Sequence, residues 1–143
     1  MTAYLGRLAT YDGDHKAILD IAKTSKYTSA YGNYMFSGKA AYEKGWIQVV
    51  TTKDDKVVGY FCCRVKVREP VTELYFFGVH PEFQREGIAL FVLTMLIGFS
   101  KHRDIGLNVM KENKPAVSFY LKHGFKIVRD AFGGQAHRMH LRW

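Results

Sequence analysis

The sequence has few of the residues that build disulfide scaffolds or flexible linkers. Its 143 residues include two cysteines and three prolines, and no Ser- and Pro-rich stretch divides the chain. Cys62 and Cys63 are neighbours, and neighbouring residues of a strand point to opposite faces, so the two are poor partners for a disulfide or a metal ion. We therefore expect one domain over residues 1–143, with both cysteines reduced and packed inside it.

Long hydrophobic segments are also missing. The longest apolar run, from Ile88 to Phe99, contains Thr94 and Gly98 and is too short to cross a bilayer. The beginning of the sequence carries no apolar signal core, and the six histidines show neither metal-ligand spacing nor the order of a Ser-His-Asp triad. These absences predict a cytoplasmic protein with no membrane partner and no metal.

Positive charge and aromatic rings are abundant. Lys and Arg number 21 against 13 Asp and Glu, which gives a net charge of +8, and 15% of the residues are aromatic. A basic protein of this size favours an anionic partner, such as nucleic acid, a membrane surface or a phosphate-bearing cofactor, although it can also be merely soluble. Three of the cations, Arg64, Lys66 and Arg68, alternate with valines and are expected on one face of a strand.

The pattern of apolar and turn residues predicts a mixed α/β domain. Strands are predicted over residues 2–10, 46–52, 57–68, 71–79, 105–110, 125–129 and 138–143. Helices are predicted over residues 15–23, 88–99 and from the cap Asn113 to Gly124, with loop and irregular helix over 27–36. The helix over 88–99 is apolar on nearly every side, so we expect it to be buried almost all round.

One loop has the character of an anion site. It lies between the strand ending at Val79 and the long apolar helix, and it reads Gln84, Arg85, Glu86, Gly87, Ile88 and Ala89. A strand–loop–helix unit aims backbone N–H groups and the positive end of a helix dipole at one point, and Gly87 has no Cβ to block a phosphate. The motif is neither a P-loop nor a dinucleotide fingerprint, so an ordinary turn stays an alternative.

Two motifs together resemble those of the GCN5-related N-acetyltransferase (GNAT) family. Gln84, Gly87 and Ala89 match the pattern Q/R-x-x-G-x-G/A. The second pattern, N-x-x-A-x-x-F-Y-x-x-x-G-F, is matched by Asn113, Ala116, Phe119, Tyr120, Gly124 and Phe125. The resemblance is strongest over residues 57–128. It implies the GNAT fold: a mixed, mostly antiparallel sheet of six to seven strands, with helices on both faces and a V-shaped splay between the fourth and fifth strands.

The resemblance also implies acetyl-CoA as the co-substrate, with no metal. In the family the diphosphate lies on the amides of the loop that here runs from Gln84 to Ala89, with Arg85 as the nearest cation. The pantetheine arm pairs with the preceding strand, here Phe77, Gly78 and Val79, and is hydrogen-bonded by the residue at the position of Asn113.

Two residues match the positions of catalytic groups in the family. Tyr120 would protonate the departing thiolate, because a phenol with a pKa of about 10 is protonated at neutral pH; a core tyrosine is the alternative. Glu73 would remove the proton from the attacking amine, with water as the other base and a surface charge as the non-catalytic alternative. His80 could relay a proton, but a loop histidine is more often simply solvated.

The motifs leave the acceptor open. The resemblance implies direct transfer to a primary amine on a small molecule or peptide, with the acceptor wall at Tyr31 and Tyr34, near Tyr27 and Phe36. An amine on an aminoacyl-tRNA or a modified base is the second alternative, which the net charge of +8 motivates and the lack of a separate RNA-binding module opposes. The third is a non-catalytic member that binds coenzyme A or a partner protein. A monomer and a homodimer are both compatible with the sequence.

Overall fold

Seven strands and four α-helices are formed within residues 3–25, 39–66, 68 and 70–143, the part of the chain that the computed structural model describes. The strands are β1 (Leu5–Leu8), β2 (Ile47–Thr51), β3 (Val57–Lys66), β4 (Val71–Val79), β5 (Asp104–Met110), β6 (Lys126–Ala131) and β7 (Ala136–Arg142). The helices are α1 (Tyr11–Ala22), α2 (Ala40–Glu43), α3 (Ile88–Phe99) and α4 (Lys114–Lys122), and short 3₁₀ turns cover Pro81–Phe83 and Phe132–Gly134.

The strands form one mixed sheet in the order β1-β2-β3-β4-β5-β7-β6. The pairs β1–β2, β2–β3, β5–β7 and β6–β7 are antiparallel, and β4–β5 is parallel. Among the described residues β4 and β5 pair at only three positions, ending at Leu74 and Leu107, although both strands continue beyond them. The predicted fold class is therefore confirmed, including the divergence of the fourth and fifth strands.

The chain divides into two compact units. The first comprises Met1–Cys63 and Phe76–Gly98, and the second comprises Arg64–Tyr75 and Phe99–Trp143. In the first unit α1 packs its apolar side on β2 and β3, and the buried core includes Ile18, Ile21, Ile47, Val49 and Tyr60. In the second unit β5, β7 and α4 enclose a core that includes Ile105, Leu107, Met139, Tyr120 and Phe125.

Helix α1 begins four residues earlier than the sequence predicted. Thr10 is its N-cap, and the Thr10 hydroxyl accepts a hydrogen bond from the Gly13 N–H. The segment from Asp12 to Asp14, expected as a turn, therefore forms the first helical turn, where acidic side chains complement the helix dipole. Buried Asp14 is also held by two hydrogen bonds from Arg7, at 2.7 and 2.8 Å, which fix the start of the helix against β1.

Helix α3 has the predicted ends but not the predicted burial. Ile88, Val92, Leu93 and Leu96 are buried, whereas Leu90 is 48% exposed. The expectation that this helix is buried almost all round was wrong, because one face of it reaches solvent. Its first turn packs closely on β3: a Cβ added to Gly59 would lie 3.0 Å from the Ile88 side chain.

Candidate active site

The loop between β4 and α3 has an unusual backbone conformation. Arg85 has φ +72° and Gly87 has φ +80°, so both occupy the left-handed region. That region is costly for arginine and easy for glycine, and strain of this kind is typical of functional loops. A Cβ added to Gly87 would meet nothing within 4 Å among the described residues, so the space beside this residue is open. The loop therefore offers an accessible backbone at the start of a twelve-residue helix.

Two hydrogen bonds orient Glu86 in this loop. The Tyr4 hydroxyl donates to Glu86 Oε1 at 2.7 Å, and this bond raises the pKa of Tyr4. The Glu86 N–H donates to the Phe83 carbonyl at 3.4 Å. Glu86 was predicted among the residues that hold the diphosphate, and its own amide is thus already engaged. The free N–H groups expected at a helix start are those of the first turn of α3, from Ile88 onward.

The end of β4 lies in the same unit as the loop. Phe77, Gly78 and Val79 are partly buried. Gly78 has a packing reason to be glycine, because an added Cβ would lie 2.5 Å from the Tyr60 ring. The predicted pantetheine strand thus runs directly into the predicted diphosphate loop by way of the 3₁₀ turn Pro81–Phe83.

His80 has a structural role at the start of that 3₁₀ turn. Its Nδ1 accepts a hydrogen bond from the Glu82 N–H at 3.1 Å, and its ring packs edge-on against Phe83. The His80 N–H donates to the Val58 carbonyl at 2.8 Å. The residue therefore caps the 3₁₀ turn and is partly buried, a structural role that differs from both the proton relay and the solvated histidine expected from the sequence.

Tyr120 lies on α4 in the second unit and is 8% exposed. Its ring makes edge contacts with Phe119 and Phe125, at centroid distances of 5.6 and 5.2 Å. Burial raises the pKa of Tyr120 above the ordinary value of a phenol. The hydroxyl is consequently protonated well into the alkaline range, as a proton donor must be.

Asn113 occupies the N-cap position of α4, but its side chain does not cap the helix. Its φ is −80° and its ψ is 69°, and within the described residues the side chain accepts no hydrogen bond from the first helical turn. Pro115 in that turn has no N–H to offer. The predicted capping bond is thus absent, and the side-chain amide of Asn113 is left available for another partner.

Glu73 lies on β4 in the second unit and is held by a buried ion pair. It is 3% exposed, and its two carboxylate oxygens accept hydrogen bonds from Arg138 at 2.5 and 2.7 Å. Arg138 is also 3% exposed, so this is a buried, bidentate ion pair. Lys66 Nζ lies 3.7 Å from Glu73 Oε1. The carboxylate predicted as a general base is therefore already paired with two cations.

Glycine makes room for this ion pair. Gly106 of β5 lies beside Glu73 in the sheet register, and a Cβ added there would approach Arg138 Nη2 to 2.4 Å and Glu73 Oε1 to 3.2 Å. The Arg138 side chain therefore crosses β5 above a residue with no side chain. The sequence did not identify Arg138 as part of the site, and nothing in its spacing marks a partner 65 positions away.

Some predicted features lie elsewhere or outside the described residues. Tyr31 and Tyr34, together with Tyr27 and Phe36, fall in residues 26–38, which the structure does not describe.

An aromatic group that the sequence did not single out lies in the first unit: Tyr11 stacks on His15, and Tyr42 donates to or accepts from His15 Nδ1 at 2.8 Å. Burial lowers the pKa of His15 and raises that of Tyr42.

Other chemistry is sparse in the described part of the chain. No three His, Cys, Asp or Glu side chains there could together hold a metal ion, and no helix there is long and apolar enough to cross a membrane. Cys62 and Cys63 are both buried and unlinked, and burial raises the pKa of the Cys63 thiol to about 12. A thiol protonated at neutral pH is a poor nucleophile.

Comparison with protein families gives one match that covers most of the chain. The family model described as "Acetyltransferase (GNAT) family" matches residues 15–125. A curated relative from Pseudomonas phage PaMx11, named 5-NmdU N-acetyltransferase, is 40% identical over 131 residues, which cover 91% of this chain and 93% of the relative.

Solved structures share the fold at lower identity. The PaiA N-acetyltransferase from Thermoplasma acidophilum, solved in complex with coenzyme A, aligns with a TM-score of 0.77 and 16% identity over 99% of both chains. Ard1 from Thermoplasma volcanium aligns with a TM-score of 0.76 and 21% identity over 98% of this chain and 97% of that one.

Proposed function

Because the chain belongs to the GNAT family of acetyltransferases, which take their acetyl group from acetyl-CoA, we propose that its acceptor is a primary amine carried by a modified deoxyuridine of DNA. The enzyme is an acetyl-CoA-dependent N-acetyltransferase, and its acceptor bears an amine. The identity of that amine is the proposal.

The acceptor assignment is carried by the relative from phage PaMx11. It is named for acting on 5-NmdU, and it shares 40% of its residues with this chain over nearly the full length of both. The net charge of +8 supports the assignment, because an acceptor within DNA brings a dense row of phosphates to the enzyme. We therefore favour the nucleic-acid-borne amine over a small molecule or a peptide. As a separate part of the proposal, we place the reaction in the cytoplasm.

We assign donor binding to the loop and strand predicted from sequence. The open backbone beside Gly87 and the first turn of α3 would hold the diphosphate, with Arg85 as a nearby cation. The partly buried backbone of Phe77, Gly78 and Val79 would pair with the pantetheine arm. Asn113, whose side chain does not cap its helix, would hydrogen-bond that arm. The open space at Gly87 is the structural feature that fits this ligand.

Tyr120 is proposed as the general acid. When the amine attacks the thioester, the C–S bond breaks and the thiolate must gain a proton. Burial keeps the Tyr120 phenol protonated, so it has a proton to give at the working pH. Neither cysteine is needed, since the amine attacks acetyl-CoA directly and both thiols are buried.

Removal of the amine proton is assigned to water, the alternative to Glu73. Both Glu73 oxygens already accept hydrogen bonds from Arg138. The carboxylate is also only 3% exposed, so an incoming amine has little access to it. The carboxylate would then have a structural role, as the buried counter-charge of Arg138.

A thiol-release assay tests the acceptor. Acetyl-CoA is supplied with DNA containing 5-NmdU, with the same DNA containing only thymidine, with small polyamines, with peptides and with charged tRNA. We expect free coenzyme A to appear with the 5-NmdU DNA and not with thymidine DNA. A higher kcat/KM for a polyamine, a peptide or charged tRNA would overturn the DNA assignment and leave the transferase activity intact.

A further inference from the structure

The positive charge of the chain is concentrated in the second unit. Arg64–Tyr75 and Phe99–Trp143 contain twelve Lys and Arg against five Asp and Glu, a net charge of +7, whereas the first unit has nine against eight, a net charge of +1. We infer that one face of the sheet in the second unit is a docking surface for the phosphates of DNA. The inference rests on the proposed acceptor and says where the rest of that polymer lies.

The sheet register places five cations around this face. Paired residues of neighbouring strands point to the same side, so Lys126 lies beside His140 and Arg129 beside Arg138. On β5, His140 pairs with Gly106, and Arg138 pairs with Asn108. Gly106 also pairs with Glu73 of β4, so all these residues lie on the same face of the sheet. We call this the basic face, and its cations are Lys66, Lys126, Arg129, Arg138 and Arg142.

Two acids on the basic face are already neutralised. Glu73 is bound by Arg138 as described above. Asp104 accepts hydrogen bonds from Arg142 Nε at 2.8 Å and shares one with His140 Nδ1 at 2.7 Å. Arg138, Lys66 and Arg142 thus contact these two acids, and the five cations of the basic face exceed the two acids by three charges.

The remaining charge is accessible. Lys126 and Arg129 are exposed, and among the residues that the structure describes neither has an acid within ion-pair distance. The Lys66 side chain is 39% exposed. Tyr75, two residues after Glu73 and therefore on the same side of β4, is 38% exposed.

The dimensions suit a nucleic-acid strand. From β4 through β5 and β7 to β6 is three strand spacings, or about 14 Å. One strand of B-DNA presents about four phosphates over that length, at about 3.4 Å each. The basic face also carries the Glu73–Arg138 pair. DNA docked here would therefore pass over Glu73, the residue at the family's position for the general base.

The test compares two double variants with the same change in net charge. Lys126→Gln with Arg129→Gln removes two cations from the basic face. Lys101→Gln with Lys122→Gln removes two exposed cations of the same unit that do not belong to it. Binding to a fluorescent DNA oligonucleotide without amine is measured by anisotropy over a series of salt concentrations, so the readout does not depend on catalysis. Turnover with a small amine acceptor is followed in parallel.

The basic-face variant should bind DNA on the order of tenfold more weakly, and its log–log salt slope should be smaller by about 2, since each phosphate contact contributes about 0.9. The control variant should retain at least half the wild-type affinity and slope, and turnover of the small amine should be unchanged in both. Equal losses in the two variants would overturn the inference, as would tighter binding of poly-glutamate than of DNA. DNA acetylation without these binding differences would overturn the docking surface alone, and DNA binding without acetylation would overturn the proposed acceptor alone.

Discussion

Glu73 has two candidate roles: it could remove the amine proton, or it could serve as the buried counter-charge of Arg138. Replacing Glu73 by glutamine tests the second role. The side chain is 3% exposed and is bound through both oxygens to Arg138, which is equally buried. Glutamine keeps the shape but removes the charge, so Arg138 would be left in the interior with no full counter-charge. Removing one partner of a buried ion pair costs about 3–5 kcal/mol. In a protein of this size each kcal/mol lowers the melting temperature by about 2–4 °C, so Glu73→Gln should melt about 6–20 °C lower.

A double variant provides the decisive control. Glu73→Leu combined with Arg138→Met replaces the pair by apolar side chains of similar volume, which is often neutral or stabilising. Glu112→Gln, at an exposed acid of the same unit, should stay within about 0.5 kcal/mol of wild type. Unfolding in denaturant gives the free energy of each variant, and calorimetry gives the melting temperature.

Turnover per folded molecule distinguishes the two candidate bases. If water removes the amine proton, as proposed, the double variant should regain most of the wild-type kcat along with its stability. If Glu73 were the base, kcat would stay lower by about 10²–10⁴-fold however well the protein folds. A Glu73→Gln variant as stable as wild type would show that the buried ion pair does not stabilise the fold.

Three further changes test other parts of the site. Tyr120→Phe should lower kcat by about 10²–10⁴-fold and leave the acetyl-CoA dissociation constant unchanged; a wild-type rate would reject Tyr120 as the acid. Since burial raises the pKa of Tyr120, turnover should not fall between about pH 8 and about pH 10 through loss of its proton. Gly87→Val should abolish acetyl-CoA binding in calorimetry, because φ is +80° there and the added side chain would occupy the open space; normal affinity would contradict the loop assignment. Burial lowers the pKa of His15, so its neutral form stabilises the folded state above the ordinary pKa of about 6.5, and this contribution is lost as the pH falls below it. His15→Gln should therefore flatten the fall in melting temperature between about pH 7 and about pH 5. If the melting temperature falls as steeply as in the wild type, His15 does not contribute to this pH dependence.

Elements with an unambiguous apolar pattern were predictable to the residue. β4 and α3 have the predicted ends, because each is a mainly apolar run bounded by turn residues on each side. The start of α1 was misjudged because Asp12 and Gly13 resemble a turn, whereas the capping bond from Gly13 to Thr10 makes them helical. The short helix α2 has too few residues to show a period.

The site was predictable as far as it depends on local sequence. The loop around Gly87 is continuous in the chain, so its motif could be read directly. The ion pair between Glu73 and Arg138 could not, because it depends on the order of β4, β5 and β7 and on the missing side chain of Gly106. The excess of basic residues around Arg64–Arg68 and after Lys101 is visible in the sequence, but the assembly of these two separate segments into one unit is not.

Nucleoside analysis of treated DNA shows whether the amine of 5-NmdU is the acceptor. DNA containing 5-NmdU is incubated with the enzyme and acetyl-CoA, digested to nucleosides and analysed by mass spectrometry. We predict that the amine nucleoside is replaced by a product heavier by one acetyl group, in an amount equal to the coenzyme A released. An unchanged nucleoside, under conditions in which the same enzyme preparation acetylates another amine, would contradict the account.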